Sequence, residues 1–426
     1  MTDRFPEDFL WGAATSSHQV EGNNFYNDWW KWERSGGTEA SNLACDHYNR
    51  FKEDFSLAKE LNHNAHRVGL EWSRLEKDEN VWDRGEWDHY KEVIDELLAL
   101  GIEPVVTLNH FTVPLWLSLK GSWLCDESVE FFTRFAEKAI EHLGSRVQYW
   151  ITINEPNILA ILAYFFGEWT PCEKDFGKAM LVLKNMLKSH ASAYRVMHEA
   201  AENNNRIKAP KVGIAKAVTA FHPCSPYSPR DRLVTWLRSK LHNYSFVNSA
   251  LKGKVLIPGL KQEKLAARGA ADFIGLNYYF RQFIGYHSPF REHPLGEVCD
   301  VGHHKDAGPV TDMGWEIYPK GLYEVIKSFS RYKLPIIISE NGIATRDDPL
   351  RQKYIKDHLS YVLKAISEGS PVFGYLHWSL MDNFEWAHGY SKKFGLIEVD
   401  FDSQKRTIRD SGRYLGKVIK TGKIAS

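Results

Sequence analysis

A run of apolar and β-branched residues ends in a polar cluster at residues 149–157, which read YWITINEPN. A second run of this kind, residues 336–342, reads IIISENG and also ends at a glutamate. Runs of four to seven such residues have the length and composition of buried strands. Each segment therefore predicts a strand that carries a glutamate at its C-terminal end.

The same pattern recurs along the whole chain. Helical spacing of apolar residues fills the stretches between these runs, at 87–100, 129–143, 176–201 and 352–368. Eight strands alternating with helices favour parallel pairing and a single (β/α)₈ TIM barrel over residues 1–426. A doubly wound open sheet is the alternative, but no glycine-rich phosphate loop follows the first run. The predicted strands are 9–15, 65–70, 104–109, 149–154, 212–217, 273–277, 336–339 and 372–377.

Two segments, 223–232 and 287–312, are rich in proline, glycine, histidine and charged residues. This composition predicts long loops. Both follow predicted strands, at the end of the barrel where active sites lie. The loops are therefore expected to shape a binding cleft.

Composition narrows the classes of partner. Lysine plus arginine and aspartate plus glutamate both number 54, so the formal net charge is zero and no nucleic-acid partner is predicted. The five cysteines are odd in number and far apart, which argues against a disulfide framework and a cysteine-rich metal site. Neither a signal-like segment nor an 18-residue apolar run occurs. These features predict a cytoplasmic enzyme without membrane span, metal or cofactor, and they leave a homo-oligomer open.

Several predicted strands end in polar or aromatic residues, which a barrel would direct at one central cleft. Glu155 and Glu340 are the two carboxylates among them. Glycosidic bond cleavage needs such a pair, in which one group protonates the leaving oxygen while the other attacks carbon or activates water. The two groups must titrate differently. The other strand ends are Asn109-His110, Asn277-Tyr278-Tyr279 and His377-Trp378-Ser379.

Longer motifs resemble family 1 glycoside hydrolases of the β-glucosidase and β-galactosidase type. The resemblance implies a (β/α)₈ barrel and a retaining exo-β-glycosidase, with Glu155 as acid/base and Glu340 as nucleophile. The implied activity is that of a β-glucosidase; β-galactosidase and β-fucosidase activity stay open, because the sequence does not decide between glucose, galactose, fucose and mannose. Repulsion from Glu340 is expected to raise the pKa of Glu155. The motifs that carry the resemblance are residues 5–22 (FPEDFLWGAATSSHQVEG), 67–74 (RVGLEWSR), 107–117 (TLNHFTVPLWL), 152–157 (TINEPN), 272–279 (DFIGLNYY), 313–319 (MGWEIYP), 339–342 (SENG) and 378–400 (WSLMDNFEWAHGYSKKFGLIEVD).

The resemblance also implies roles for residues around the two glutamates. Asn154 would bind the sugar 2-hydroxyl, a contact that strengthens in the transition state. Arg67, Asn277 and Tyr279 would orient the nucleophile. The glycoside itself would be held by Gln19, His110 and Glu385 at the sugar hydroxyls, by Trp378 and Trp386 at the ring, by Phe394 near C6, and by Trp315 on the aglycone side.

Phe111 departs from the family pattern, which has tryptophan after the strand-three histidine. An indole N–H donor near the sugar O3 is therefore missing, and altered tolerance at that hydroxyl is expected. His18 and His388 are further local departures.

Four alternatives share these residues. A transglycosylase would use the same covalent intermediate with an acceptor hydroxyl in place of water. A 6-phospho-β-glycosidase is disfavoured because Glu385 would repel a phosphate, although Lys392 and Lys393 lie nearby in sequence. A thioglucosidase lacking the acid is disfavoured by Glu155. A catalytically silent sugar-binding barrel is the remaining alternative.

Overall fold

Eight parallel strands form a closed barrel in the computed structural model, which describes residues 4–286 and 295–424. Each strand pairs with its neighbours in chain order, and the first strand pairs with the last, which closes the ring. The predicted (β/α)₈ barrel is confirmed, and the open sheet is excluded. The strands are β1 (Leu10–Ala14), β2 (Ala65–Gly69), β3 (Glu103–Asn109), β4 (Tyr149–Asn154), β5 (Lys211–Pro223), β6 (Phe273–Gly285), β7 (Ile336–Asn341) and β8 (Val372–Trp378).

Helices lie between the strands and cover the barrel. The helices are α1 (Ser17–Val20), α2 (Asp28–Arg34), α3 (His47–Glu60), α4 (Trp72–Leu75), α5 (Arg84–Ala99), α6 (Leu115–Leu119), α7 (Ser128–Leu143), α8 (Pro156–Leu159), α9 (Phe176–Asn203), α10 (Pro229–Ser239), α11 (Ser245–Lys252), α12 (Pro319–Phe329), α13 (Asp348–Ser367) and α14 (Asp410–Thr421). Two π-helical turns, Ala160–Phe165 and Lys240–Tyr244, extend α8 and α10. Short 3₁₀ turns lie at Ser122–Leu124, Val301–His303, Ser330–Tyr332 and Trp386–His388. Short strands pair outside the barrel at Glu76–Asp78 with Val81–Trp82 and at Ile397–Asp400 with Lys405–Ile408.

Every strand contributes to an apolar cluster inside the barrel. Alanines on β1, β2 and β5 accompany larger residues on the other strands. A second and larger apolar cluster fills the space between barrel and helices. The strand residues of the interior cluster are Ala14, Ala65, Val105, Ile151, Ala215, Phe273, Ile337, Leu376 and Trp378.

The predicted loop at 223–232 is partly wrong. Strand β5 continues to Pro223, and α10 begins at Pro229. The Ser228 side chain accepts a hydrogen bond from the Asp231 N–H and caps that helix, with proline in its first turn. In the second predicted loop, residues 287–294 lie outside the described residues. Its remainder contains the strand Glu297–Val298, which pairs with β6.

The cysteine argument is wrong for one pair, because Cys224 and Cys299 form a disulfide. The pairing follows from the length of β5 and β6, whose ends place Pro223 beside Ile284 and Ile284 beside Val298. The two cysteines are therefore far apart in the sequence but adjacent in the structure. Cys45, Cys125 and Cys172 are free. The inference of a reduced location consequently loses its cysteine argument.

His304 lies beside this disulfide, and its imidazole Nε2 is 3.7 Å from the Cys224 sulfur. Within residues 4–286 and 295–424, Cys224, Cys299 and His304 are the group of side chains that lie close enough together to hold a metal ion. The two sulfur atoms of this group are already bonded to each other in the disulfide.

Within the same described residues, no helix is long and apolar enough to span a membrane.

Candidate active site

Glu155 is placed by an abrupt change of backbone direction at the end of β4. Its φ of 45° and ψ of 54° lie in the left-handed region, which costs energy for a residue with a Cβ atom. Its N–H group donates to the carbonyl oxygen of Ala215 on β5 at 2.7 Å. Pro156 then occupies the first turn of α8, where a missing N–H group costs nothing. The NEP motif thus holds a carboxylate at the mouth of the barrel.

Glu340 lies in β7, opposite Asn277 of β6 in the strand register. The register of β7 shifts after Ile338 against both of its neighbours, which marks an irregularity in the strand at this point. Gly342 follows where the chain passes β8: a Cβ atom there would lie 1.8 Å from the carbonyl oxygen of Trp378. The glycine of the ENG motif therefore permits the close approach of β7 and β8.

Arg67 joins the nucleophile candidate to the residue before the acid candidate. One guanidinium nitrogen donates to Glu340 at 2.5 Å, another donates to Asn154 at 2.8 Å, and Nε donates to Thr107 at 2.8 Å. The side chain is fully buried. A buried guanidinium needs an anion and fixed acceptors to offset its desolvation. Arg67 therefore stabilises the ionised form of Glu340.

Tyr279 supplies the second donor to Glu340. Its hydroxyl group donates to the other carboxylate oxygen at 2.6 Å. Both oxygens of Glu340 are thus held by fixed donors, which sets the orientation of the carboxylate.

Asn277 bridges the two halves of the site. Its amide nitrogen donates to Glu155 at 2.8 Å and to Asn154 at 3.0 Å, while its oxygen accepts from the Ser339 hydroxyl at 2.6 Å. Hydrogen bonding by Asn277 also lowers the pKa of Glu340. The residue predicted to orient the nucleophile therefore also holds Glu155.

The environments of the two carboxyl groups differ. Burial, followed by repulsion from Glu340, raises the pKa of Glu155 to about 8. The predicted direction agrees, but burial is a larger cause than the predicted repulsion. Burial also raises the pKa of Glu340, and the charge of Arg67 and the Tyr279 hydroxyl oppose that rise. The arrangement therefore favours the protonated form of Glu155 up to a pH of about 8, whereas Arg67 and Tyr279 favour the ionised form of Glu340.

Gln19 and Glu385 meet at the other side of the cavity. The Gln19 amide nitrogen donates to Glu385 at 3.3 Å and to the Phe384 carbonyl oxygen at 2.8 Å. Burial and repulsion from Glu340 raise the pKa of Glu385 to about 8, against hydrogen bonds from Trp378 and Gln19. Glu385 lines the cavity and can face a ligand hydroxyl, while Gln19 holds it from behind the cavity wall.

His110 lies between the hydrogen-bonded side chains of Arg67 and Asn154 and the rings of Trp378 and Trp386, which are called here the aromatic floor. Asn154 donates to its Nε2 at 3.1 Å, and burial followed by the charge of Arg67 holds its pKa well below its usual range. The neutral ring stacks beside Trp378 and Trp386, with centroids 5.7 Å and 6.0 Å away. His110 therefore belongs to the same site as the two glutamates.

Phe111 is buried, and its φ is 75°. Its ring packs edge-on against Trp386 at 5.2 Å and against Trp169 at 5.0 Å. Trp169 lines the cavity but was not identified from the sequence. It lies in an irregular segment between a π-helical turn and α9, where no periodic pattern reports its direction. Only tertiary contacts reveal it.

Trp315 packs within a separate aromatic group. Its ring lies 5.3 Å from Tyr279, 4.9 Å from Phe280 and 6.4 Å from Phe394. His18, one of the local departures, donates from Nε2 to the Glu33 carboxylate at 2.7 Å, and its ring stacks 5.8 Å from Trp386. His18 therefore supports the aromatic floor from behind.

A cavity of about 1110 Å³ connects these groups. Gln19 and Arg67 are fully buried behind its wall, and His388 also lines it. The predicted site residues that line the cavity are His110, Phe111, Asn154, Glu155, Asn277, Tyr279, Trp315, Glu340, Trp378, Glu385, Trp386 and Phe394.

Comparison with known proteins gives a consistent result. The profile described as "Glycosyl hydrolase family 1" matches residues 1–424. Beta-glucosidase A of Thermotoga maritima is 36% identical, and the alignment covers 98% of each chain. A 1,4-beta-D-glucan glucohydrolase of Thermotoga neapolitana is 34% identical, again with 98% coverage of each. The structure of a beta-glycosidase from Pyrococcus horikoshii superposes with a TM-score of 0.92 at 39% identity, covering 100% of this chain and 97% of the other.

Proposed function

Because the chain belongs to glycosyl hydrolase family 1 and is thus an O-glycosyl hydrolase, we propose that it is a retaining exo-β-glycosidase that releases terminal β-D-glucosyl residues. The observation that carries this proposal is the contrast between the two buried glutamates. Glu340 receives donors from Arg67 and Tyr279, while Glu155 has a pKa of about 8. One carboxylate is thereby suited to attack and the other to donate a proton.

In the first step Glu340 attacks the anomeric carbon and the bond to the aglycone oxygen breaks. Glu155 transfers its proton to that oxygen, so the aglycone leaves as a neutral alcohol. Asn154, held by Arg67 and Asn277, is positioned to bind the 2-hydroxyl group as positive charge develops on the ring. The product of this step is a covalent glycosyl ester of Glu340.

In the second step Glu155 acts as a base. Esterification removes the charge of Glu340, so its repulsion no longer raises the pKa of Glu155. Glu155 can then accept a proton from water, which attacks the anomeric carbon from the side that the aglycone left. The ester bond breaks at the same time, and Glu340 leaves as a free carboxylate. Two inversions restore the β configuration. An acceptor alcohol in place of water would give transglycosylation by the same step.

A terminal glucosyl unit is supported by the groups opposite the two glutamates. Glu385, which Gln19 holds by a hydrogen bond, can bind a sugar hydroxyl, and Trp378 offers a flat apolar ring. No cofactor enters these steps, and residues 1–426 are proposed to act as one domain.

A phosphorylated sugar is the less favoured glycon. Glu385 lines the cavity, and with a pKa of about 8 it is a neutral acid at lower pH and an anion that repels a phosphate at higher pH; neither form supplies a positive charge. Lys392 donates to the Asp312 carbonyl oxygen at 2.6 Å, and Lys393 lies over the Phe401 ring at 4.5 Å. Both lysines have partners other than a ligand.

Trapping with an activated 2-deoxy-2-fluoro-β-glucoside tests the mechanism. We expect a covalent adduct on the peptide that contains Glu340, detected by mass spectrometry. The first sugar released from an aryl β-glucoside should be the β anomer by NMR. Release of the α anomer would overturn the retaining mechanism.

Glu340→Gln is the matched control for the trap. It keeps the side-chain shape but removes the nucleophile, so the adduct should disappear while the fold persists by circular dichroism. A persistent adduct at another residue would overturn the assignment of Glu340. Hydrolysis of no β-glycoside at all by the wild type would favour the silent sugar-binding barrel.

A further inference from the structure

We infer that Cys224, Cys299 and His304 form a redox-dependent zinc site, in which reduction of the disulfide allows a Zn²⁺ ion to take the place of the bond between the two sulfur atoms. The ligands are the two thiolates and the imidazole Nε2. The three side chains lie near the ends of β5 and β6, and none of them lines the cavity that contains Glu155 and Glu340. Metal binding here therefore does not depend on the proposed hydrolysis of glycosides.

Backbone hydrogen bonds to β6 hold the two cysteines beside each other. The N–H group of Cys224 donates to the Ile284 carbonyl oxygen at 2.8 Å, and that of Cys299 donates to the Phe283 carbonyl oxygen at 2.8 Å. Strand pairing of β6 with β5 and with Glu297–Val298 extends up to both positions. These contacts do not involve the sulfur atoms. We therefore expect the two thiols to stay adjacent after reduction.

His304 is placed by a short turn and by an aromatic ring. It follows the 3₁₀ turn Val301–His303, which the Asp300 side chain caps by accepting a backbone hydrogen bond. The imidazole lies parallel to the Phe283 ring, with the two centroids 3.5 Å apart. Its Nε2 is 3.7 Å from the Cys224 sulfur. Contacts outside the disulfide thus direct the third ligand at the two sulfur atoms.

The spacing of the ligand atoms suits a tetrahedral zinc ion. Bonds of about 2.3 Å to sulfur and about 2.1 Å to nitrogen place a thiolate sulfur about 3.6 Å from an imidazole nitrogen. The distance between Cys224 Sγ and His304 Nε2 is already 3.7 Å. Two thiolates on one zinc ion lie about 3.8 Å apart. The Cα atoms of Cys224 and Cys299 are 6.2 Å apart, so rotation of the freed side chains can reach that separation without moving the strands.

The chemistry of the ligands favours zinc among the common divalent ions. Thiolate and imidazole groups suit Zn²⁺, whereas Mg²⁺ and Ca²⁺ prefer oxygen ligands. Two thiolates also balance the charge of the ion. Four residues separate Cys299 from His304, a short spacing typical of zinc ligands that share one loop. Three protein ligands leave the fourth position to water.

Formation of the site is a reduction followed by metal binding. A dithiol reductant supplies two electrons and two protons: the S–S bond breaks, Cys224 and Cys299 become thiols, and the reductant becomes a disulfide. Binding of Zn²⁺ then releases the two thiol protons to solvent. The side chains of both cysteines and of His304 are half-buried, so a reductant and a metal ion can reach them.

The zinc ion would hold the same two segments together as the disulfide does. Gly296, Glu297 and Val298 line the active-site cavity and lead directly into Cys299. Cys224 directly follows the end of β5. This part of the cavity wall is therefore attached to β5 by the disulfide in the oxidised protein and by the metal ion in the reduced protein.

Binding of Co²⁺ to the wild-type protein is the direct test. The disulfide is reduced with a water-soluble phosphine, which takes an oxygen atom from water as it is oxidised, and excess reductant is removed without air. Thiolate-bound Co²⁺ absorbs strongly in the visible and near-ultraviolet range, and Zn²⁺ should abolish this spectrum by displacing it. We expect one ion per reduced chain and none per oxidised chain. No spectrum from the reduced protein, or an equal one from the oxidised protein, would overturn the inference.

Histidine variants test the third ligand. His304→Gln removes the imidazole and should weaken Zn²⁺ binding to the reduced protein at least about tenfold, measured by competition with a chromophoric chelator. His303→Gln is the matched control, because His303 is exposed and directly precedes His304. This control should keep the wild-type affinity. Wild-type affinity in His304→Gln, or an equal loss in both variants, would overturn the site as inferred.

Cysteine variants and thermal unfolding complete the test. Cys224→Ser and Cys299→Ser should each abolish the Co²⁺ spectrum, whereas Cys172→Ser, which replaces an exposed free cysteine, should leave it unchanged. Zn²⁺ should raise the Tm of the reduced wild type but not that of the oxidised wild type, a comparison that needs no variant. Loss of the spectrum in Cys172→Ser, or a Tm of the reduced protein that Zn²⁺ does not change, would overturn the inference.

Discussion

The two ends of the cleft are built from opposite materials. At the sugar end, Arg67, Asn277 and Tyr279 hold two carboxylates by hydrogen bonds of 2.5–2.8 Å. Elsewhere in the cavity lining, Ile161 and Leu162 offer apolar side chains that cannot form hydrogen bonds. Chemistry at one carbon atom needs fixed donors and acceptors, whereas a leaving group needs only to be accommodated. Fixed hydrogen-bond geometry is therefore confined to the end of the cleft that holds Glu155 and Glu340.

The contrast also affects the carboxyl groups. Glu155 stands where the two ends meet, and burial is the largest cause of its raised pKa. The apolar side chains around Glu155 keep water away from its carboxyl group, which disfavours the charged form. Glu340 is buried too, but Arg67 compensates part of that burial. Burial thus raises the pKa of both glutamates, but Arg67 and Tyr279 oppose that rise at Glu340.

The largest expected effect comes from replacing each of the two glutamates by glutamine in a separate variant. Glu340→Gln should lower kcat about 10⁴- to 10⁶-fold for every aryl glucoside, because no other group can form the intermediate. Glu155→Gln should lower kcat/KM about 10²- to 10⁴-fold for methyl glucoside but only slightly for dinitrophenyl glucoside, whose leaving group needs no proton. Steady-state rates on both substrates distinguish the roles. Equal sensitivity of Glu155→Gln to both leaving groups would contradict its role as acid.

Tyr279→Phe removes one of the donors to Glu340. A hydrogen bond to a charged group contributes about 1.5–3 kcal/mol, which corresponds to a loss of about 10- to 100-fold in kcat/KM. Loss of the donor also favours the protonated form, so the pKa of Glu340 should rise and the acid limb of the pH profile should move to higher pH. Pre-steady-state and pH-rate measurements check both effects. Tyr278→Phe serves as control because its hydroxyl contacts the Tyr318 carbonyl oxygen.

The pH dependence of kcat/KM should show an alkaline limb set by Glu155. Its raised pKa of about 8 keeps the acid protonated at neutral pH, and activity should fall about tenfold per pH unit above that value. The limb should be absent with dinitrophenyl glucoside. An alkaline limb near the ordinary glutamate pKa would contradict the role of burial at the junction of the two ends.

The smallest expected effect lies at Phe111. Phe111→Trp would introduce an indole N–H donor, worth about 1 kcal/mol, or about fivefold in the kcat/KM ratio of glucoside to 3-deoxyglucoside. The ring must also fit between Trp169 and Trp386, so some loss of thermal stability is expected. Identical selectivity in wild type and variant would show that this position does not determine recognition at O3.

The strand pattern predicted the barrel because each strand is short, apolar and separated by a helix. The bounds of β4 agree with the prediction at both ends. Strands β5 and β6 extend well past their predicted ends, since their outer parts pair with each other and with Glu297–Val298. Such pairing depends on partners that are distant in sequence. The Cys224–Cys299 disulfide was missed for the same reason.

The candidate site divides in the same way. Glu155 and Glu340 could be named in advance because strand ends in a barrel converge on one point, and Arg67 because its motif resembles that of family 1 glycoside hydrolases. Trp169 and the apolar lining at Ile161 and Leu162 could not, because they belong to an irregular segment and a π-helical turn. Helical spacing in α9 identifies an apolar face but not what that face contacts.

The sequence by itself determined the barrel, the family resemblance and the two glutamates, because local periodicity and dense motifs are readable along one chain. Tertiary structure alone decided the environment of those residues: the burial that raises the pKa of Glu155, the Arg67 contact with Glu340, and the meeting of Phe165 with Phe176. Desolvation and side-chain contacts depend on which residues lie close together in space, and the order of residues along the chain does not show this. The chemistry proposed for Glu155 thus depends on a glutamate that the sequence identifies and on a pKa that burial raises.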